Sequence, residues 1–222
     1  MNTGSKKIFS KNKLLTTICY RINNKNTYAL EGSIFVAGAG VQWIRDKIKL
    51  IDNVYETEKI AKSKKNNSGV YLVPAFTGLG APYWSPNSRG LLCGLTRNTD
   101  WKDIVRAVIE SVAYQSFDLF KAMNRDGLKP RVVKVDGGMV SNNWFSQFLS
   151  DTLDIKVIRS KINETTALGA AFVAGLYIGE FNSLKSISKR WKIDKTFNPN
   201  INKSSRIKLL KGWKQAIKRT LI

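Results

Sequence analysis

The segment VVKVDGGMVSNNW, residues 132–144, runs from an apolar strand through an acid and two glycines into polar residues that open a helix. A glycine pair after a strand lets the backbone turn tightly and lets another group come close. The free N–H groups of a helix start suit a phosphate or another polar ligand. Two readings are open on these residues alone: a ligand-free strand-to-helix turn in an α/β core, or one wall of a ligand pocket. The first is the commoner meaning of such a turn. Asp136 either holds the turn or contacts a hydrated metal near phosphates, and holding the turn is the simpler role.

The flanking sequence places this junction in an alternating pattern. LLTTICYR (14–21) and NTYALEG (26–32) read as two strands around a polar turn at Asn23–Asn24. SIFVAGAGVQWIRDKIKLI (33–51) has helical spacing with one broad buried face, and 62–69 is a charged loop. Strands are expected at 69–76 and 90–96, on either side of the Gly- and Pro-rich loop 77–90, where Tyr83 and Trp84 can act as anchors. A long helix over 101–127 has Asp103 near its start and Gly127 at its end. After strand 131–135 and the DGG turn come a helix at 143–153, a strand at 155–160 and a small-residue helix at 164–179, capped by Thr165 or Glu164. A basic amphipathic helix near 205–221 spaces Ile207, Leu210, Trp213 and Ile217 on one face. It suits a membrane surface or a partner, but packing on its own domain is the plainer expectation. The whole reads as α/β, a sheet with helices packed on it.

Composition narrows the chemistry. The chain of 222 residues has no histidine, which excludes His-based general-base catalysis and His metal sites. Cys19 and Cys93 form no metal spacing and no disulfide framework. No apolar run approaches a membrane span and residues 1–11 carry no signal-type segment, so a cytoplasmic protein with no membrane partner is expected. The formal charge of +21 raises a nucleic-acid or acidic-surface partner. The lysines are scattered over Lys6–Lys7, Lys62–Lys65, Lys185–Lys192 and Lys203–Arg219 in an Asn- and Ile-rich background. That dispersion reads as compositional drift, so nucleic acid is not the expected partner. AGAGVQW (37–43) is a second candidate contact: two glycines near a helix start let a flat base approach, and Gln42 can hydrogen-bond it. Close helix packing explains the same glycines. No carboxylates form an evident acid/base pair.

Taken in order, MNTG, LLTTI, YALEGSIFVAGAGVQWIRD, GVYLVPAFTGLGAPYW, IESVAYQ, VDGGMVSNN and TALGAAFVAG resemble the FGGY carbohydrate kinase family. GLGAPYW and YALEG…QW point to its glycerol branch. The similarity weakens in 52–68 and after about residue 180, so 181–222 is expected to be a divergent helical tail. Ser85 and Met139 depart from the family pattern, which has Asp and a smaller residue there.

The resemblance implies an actin-like ATPase (ribonuclease H-like) fold, with residues 1–222 forming the second, nucleotide-binding domain and its first strand missing. It places Gly38, Gln42, Gly137, Gly138 and Asn142 on ATP or ADP, with Asp136 fixing the loop. It implies Mg²⁺ as cofactor and transfer of the ATP γ-phosphoryl to glycerol, giving sn-glycerol 3-phosphate. It also puts the catalytic Asp and the glycerol site in a first domain, so no catalytic residue is expected here and the chain alone is expected to be inactive. Glycerol is a partner only with that domain present. A half-enzyme completed by a separate chain, and a non-catalytic basic nucleic-acid-binding remnant, are the alternatives. Relatives of this kind can form homo-oligomers.

Overall fold

The computed structural model describes residues 1–221. It opens with β1 (Asn2–Gly4), β2 (Leu15–Ile22) and β3 (Lys25–Glu31), an antiparallel sheet in the order β1-β3-β2. The β2–β3 hairpin turns at Asn23 and Asn24, both at positive φ. That is the geometry a two-residue turn needs, and asparagine tolerates it. Then come α1 (Gly38–Asp46), α2 (Glu56–Ser63) and an antiparallel pair, β4 (Tyr71–Val73) with β5 (Leu91–Cys93). The long helix α3 (Trp101–Arg125) leads to β6 (Val132–Val135), a 3-10 turn (Gly138–Ser141) and α4 (Asn143–Leu153). β7 (Lys156–Ser160), α5 (Thr165–Tyr177), α6 (Leu184–Ser188), β8 (Ile193–Phe197) and α7 (Lys203–Thr220) complete the order. β6 and β7 are parallel, and β8 pairs antiparallel with β7.

α3 is the spine. Asp100 caps it: its side chain accepts from the N–H groups of Lys102 and Asp103, while Asp103 accepts from the Asp100 N–H. These reciprocal bonds satisfy donors that a helix start leaves free. Lys64 bridges both carboxylates at 2.9 and 3.0 Å, pinning the loop before β4 to the helix. Gly127, at φ +87°, ends α3 as its position predicts. Between these ends α3 packs on α1, α2, α4 and β4, and its buried residues Val105, Val108, Ile109 and Val112 centre the core. The loop 77–90 is anchored as its aromatics suggest. The Tyr83 hydroxyl donates to Asp118 at 2.7 Å and Trp84 Nε1 to the Lys13 carbonyl at 2.7 Å.

Several elements differ from the expectation. The helix foreseen over 33–51 is confined to Gly38–Asp46. Residues before it run alongside the loop, where the Ala81 N–H donates to the Ser33 carbonyl, and Lys49 at φ +61° ends the turn after it. The strands at 69–76 and 90–96 shrink to three residues each. α2 forms over a stretch for which the sequence pattern suggested no helix, running into the start of the expected 62–69 loop, and the Asn53 N–H donates to Glu56 at 2.7 Å to close its first turn. Neither Thr165 nor Glu164 caps α5 through a side chain. The tail is not wholly helical, because β8 adds a strand to the β6–β7 sheet. α7 packs on β4 and α4, burying Trp213, Ala216 and Ile217 but leaving Ile207 exposed. The Trp213 ring stacks on Tyr114 at 5.4 Å, so this helix belongs to its own domain.

Candidate functional site

The DGG turn is built to leave backbone bare. Gly137 sits at φ 90°, ψ 177°, a region essentially restricted to glycine. A Cβ on Gly138 would meet nothing within 4 Å. The turn is held from outside. Arg159, on β7, donates through Nη1 to the Val140 carbonyl at 2.6 Å and to that of Ser141 at 3.2 Å, and through Nη2 to the Asn143 side chain at 3.3 Å. The Thr165 hydroxyl donates to Asp136, so Asp136 ties the turn to α5, the loop-fixing role expected of it.

Across a gap stands the start of α1. Its N-cap, Ala37, offers no side-chain acceptor; the Gly40 N–H turns to the Ala37 carbonyl at 3.0 Å, which leaves those of Gly38 and Ala39 for solvent or a ligand. A Cβ on Gly38 would lie 3.8 Å from Met139 Cγ and touch nothing else within 4 Å. Between α1, the 3-10 turn and the start of α2 lies a cavity of about 540 Å³. Gly38, Gln42, Gly138 and Asn142 all line it. Gly137 does not; it lies one residue behind, shaping the turn that presents Gly138.

The two side chains among these residues differ in readiness. Gln42 is exposed and makes no side-chain hydrogen bond among the described residues, so its amide is available to a ligand. The Asn142 side chain is committed. Its oxygen caps α4 by accepting from the Phe145 N–H at 2.9 Å, and its Nδ2 donates to the Thr57 hydroxyl at 3.2 Å. Asn142 therefore shapes the wall more than it reaches into the gap.

The sequence did not reveal the contribution of α2. Tyr55, Thr57 and Glu58 line the cavity, and Arg45 of α1 joins them. The signal was present as Asn53-x-x-Glu56, a capping-box spacing just before a helix. Glu58 is the cavity's one carboxylate. It accepts from Lys62 at 2.5 Å and from the Asn143 N–H at 3.0 Å. Burial pushes its carboxyl up, but these partners outweigh burial and hold it below the usual range. A carboxylate so engaged is a poor base. Among the described residues no three His, Cys, Asp or Glu side chains converge as a metal cage. No described helix is long and apolar enough to cross a membrane.

The model of the C-terminal domain of the FGGY family of carbohydrate kinases matches residues 2–177. The chain belongs to that family. It is 54% identical over 219 residues to glycerol kinase of Alteromonas mediterranea, covering 99% of this chain and 44% of the relative. It is 52% identical over 221 residues to glycerol kinase of Coxiella burnetii, again covering 44% of the relative. This FGGY chain thus spans less than half the length of the glycerol kinases it matches. Among solved structures, Plasmodium falciparum glycerol kinase with ADP superposes with a TM-score of 0.90 at 41% identity, over 100% of this chain and 45% of that one. A xylulose kinase from Lactobacillus acidophilus, at 20% identity and a TM-score of 0.80, shares the fold. The expected actin-like, second-domain fold is the one found.

Proposed function

We propose that this FGGY chain is the adenosine-binding part of a glycerol kinase, the enzyme that moves the γ-phosphoryl of ATP to glycerol and yields ADP and sn-glycerol 3-phosphate. The observation that carries the reading is the convergence of Gly38, Gln42, Gly138 and Asn142 on one cavity, in a chain 54% identical to a glycerol kinase. A purine is flat. Bare glycine backbone at Gly38 and Gly138 lets it lie close, and the free Gln42 amide gives it a polar partner. The first-turn N–H groups of α1 favour the negative charge of the phosphates.

Phosphoryl transfer depends on positioning and on spreading charge. Mg²⁺ supplies part of that charge stabilisation when bound. With no carboxylate cage among the described residues, the residues present would fit an ion held through the nucleotide's phosphates and water. The chain holds the nucleotide and forms one side of a closing clamp. The base and the glycerol pocket lie in the part of the enzyme outside this chain, and Glu58, spent on Lys62 and Asn143, does not substitute for the base.

Calorimetric titration with ADP tests this. The chain is expected to bind one ADP, and Gly138→Val, which fills the open floor, to weaken binding by at least about tenfold, or 1.4 kcal/mol. The same preparation is expected to show no glycerol-dependent ADP release from ATP. Absence of binding, or equal binding by the variant, would sink the proposal.

A further inference from the structure

A second and larger cavity, of about 790 Å³, opens beside a different face of α4 and shares no lining residue with the first. Trp144, Phe148 and Tyr71 form its apolar side. Arg106 of α3 reaches it from the core, and Lys65 and Lys208 stand exposed at its rim.

Arg106 is the informative residue. It is 7% exposed, yet its guanidinium is only partly used. Nε donates to Glu110 at 2.6 Å, and Nη1 donates to the carbonyls of Ala61 and Lys64. Nη2 makes no hydrogen bond among the described residues, and Arg106 lines the cavity. The Trp144 ring backs the guanidinium at 4.8 Å and stacks on Phe148 at 5.0 Å and 9°. An unspent guanidinium edge beside a fixed aromatic plane is a setting that recognises an anion carrying a flat body.

The charges indicate which anion. Glu110 balances Arg106. The cavity's one carboxylate, Asp151, has Oδ1 taken by Gln147 Nε2 and by the N–H groups of Asn200 and Ile201. Lys65 and Lys208 have no carboxylate partner among the described residues. Two ammonium groups without ion-pair partners and one guanidinium with an unused edge outweigh the single Asp151 carboxylate, an excess of positive charge that matches a phosphate better than a carboxylate. The space exceeds what phosphate alone fills.

We propose that this cavity is a second ligand site, for a small phosphomonoester with a planar apolar body. The phosphate takes Arg106 Nη2 and the two lysines, and the body lies along Trp144 and Tyr71. The site is independent of the nucleotide cavity and does not rest on the kinase reading.

Phenyl phosphate is the probe, titrated calorimetrically into the chain with inorganic phosphate in parallel. The expected result is saturable one-to-one binding, at least about tenfold tighter than inorganic phosphate, because the ring adds stacking. The double variant Lys65→Ala, Lys208→Ala is expected to weaken it at least about tenfold, since each charge-assisted contact is strong. Both lysines are exposed, so the melting temperature should hold. Arg106 is left intact because removing it would strand Glu110 in the core. Saturating ADP should not displace the probe. Non-saturable heats, equal affinity for the two phosphates, undiminished binding by the double variant, or displacement by ADP would each overturn the proposal.

Discussion

Glu110 has no exposed surface, and both its oxygens are committed, one to Arg106 Nε at 2.6 Å and the other to the Tyr114 hydroxyl at 2.8 Å. Burial pushes its carboxyl up while Arg106 pulls it back. Removing one member of such a pair leaves the other charge stranded. Glu110→Gln is therefore expected to cost about 3–5 kcal/mol in urea unfolding, and a loss below about 1 kcal/mol would contradict the pairing. Asp126 shows the opposite balance at the surface. Burial pushes its carboxyl up, but Ser10, Asn12 and the Lys11 N–H together outweigh it and hold the group below its ordinary value of 3.8. A depressed carboxyl stabilises the fold above its unfolded pKa and loses that contribution as pH falls through the folded one. Asp126→Ala is expected to lower stability by about 1–2 kcal/mol at pH 7. The gap between variant and parent should close as pH drops below 3.8, as thermal melts across pH would show. A gap that persists in acid would mean the loop is held by something else.

At the scale of elements, α5 is the anomaly. Its sequence, TTALGAAFVAGLY, is the most apolar of the helices, yet Gly175 is its only buried residue. Tyr177 at its end is 93% exposed and Ile178 just beyond it 77%. An apolar helix left in water marks a surface built to be covered. On the reading proposed above, the occupant would be the rest of a glycerol kinase, since this chain spans 44% of the relative from Alteromonas mediterranea. Tyr177→Lys with Ile178→Lys should raise the soluble fraction and lower dye binding to apolar surface, while folding stability moves by no more than about 0.5 kcal/mol. Unchanged solubility with lost stability would show that α5 packs on its own domain. Periodicity made much of this scale legible: the β2–β3 hairpin, α3 with Gly127 at its end, β6, α4 and β7 lie close to where the residue patterns place them. It failed where burial does not write itself into sequence. ETEKIAKS of α2 is polar on most sides, and β8, exposed at a sheet edge, alternates too weakly to stand out. The apolar run before Gly38 is irregular rather than helical, and the Ala81 N–H bond to the Ser33 carbonyl ties it to the 77–90 loop, a tertiary contact no local pattern encodes.

In the whole molecule the tail is integral: β8 extends the sheet that carries the DGG turn and α7 closes the core over Tyr114, although the family match ends at residue 177. The candidate site was legible only in part. Glycines at 38, 137 and 138 read locally as turns or packing, and resemblance was needed to gather them with Gln42 and Asn142 on one ligand. The wall from α2 and the brace from Arg159 became visible only once strands and helices were brought together in space. The most direct measurement is backbone-amide NMR of the chain with and without ADP. If the nucleotide lies between α1 and the DGG turn, the amides of Gly38, Gln42, Gly137 and Gly138 should move on titration and those of Lys65 and Lys208 should stay. Shifts gathered around Lys65, Trp144 and Lys208, with the glycine amides still, would contradict it.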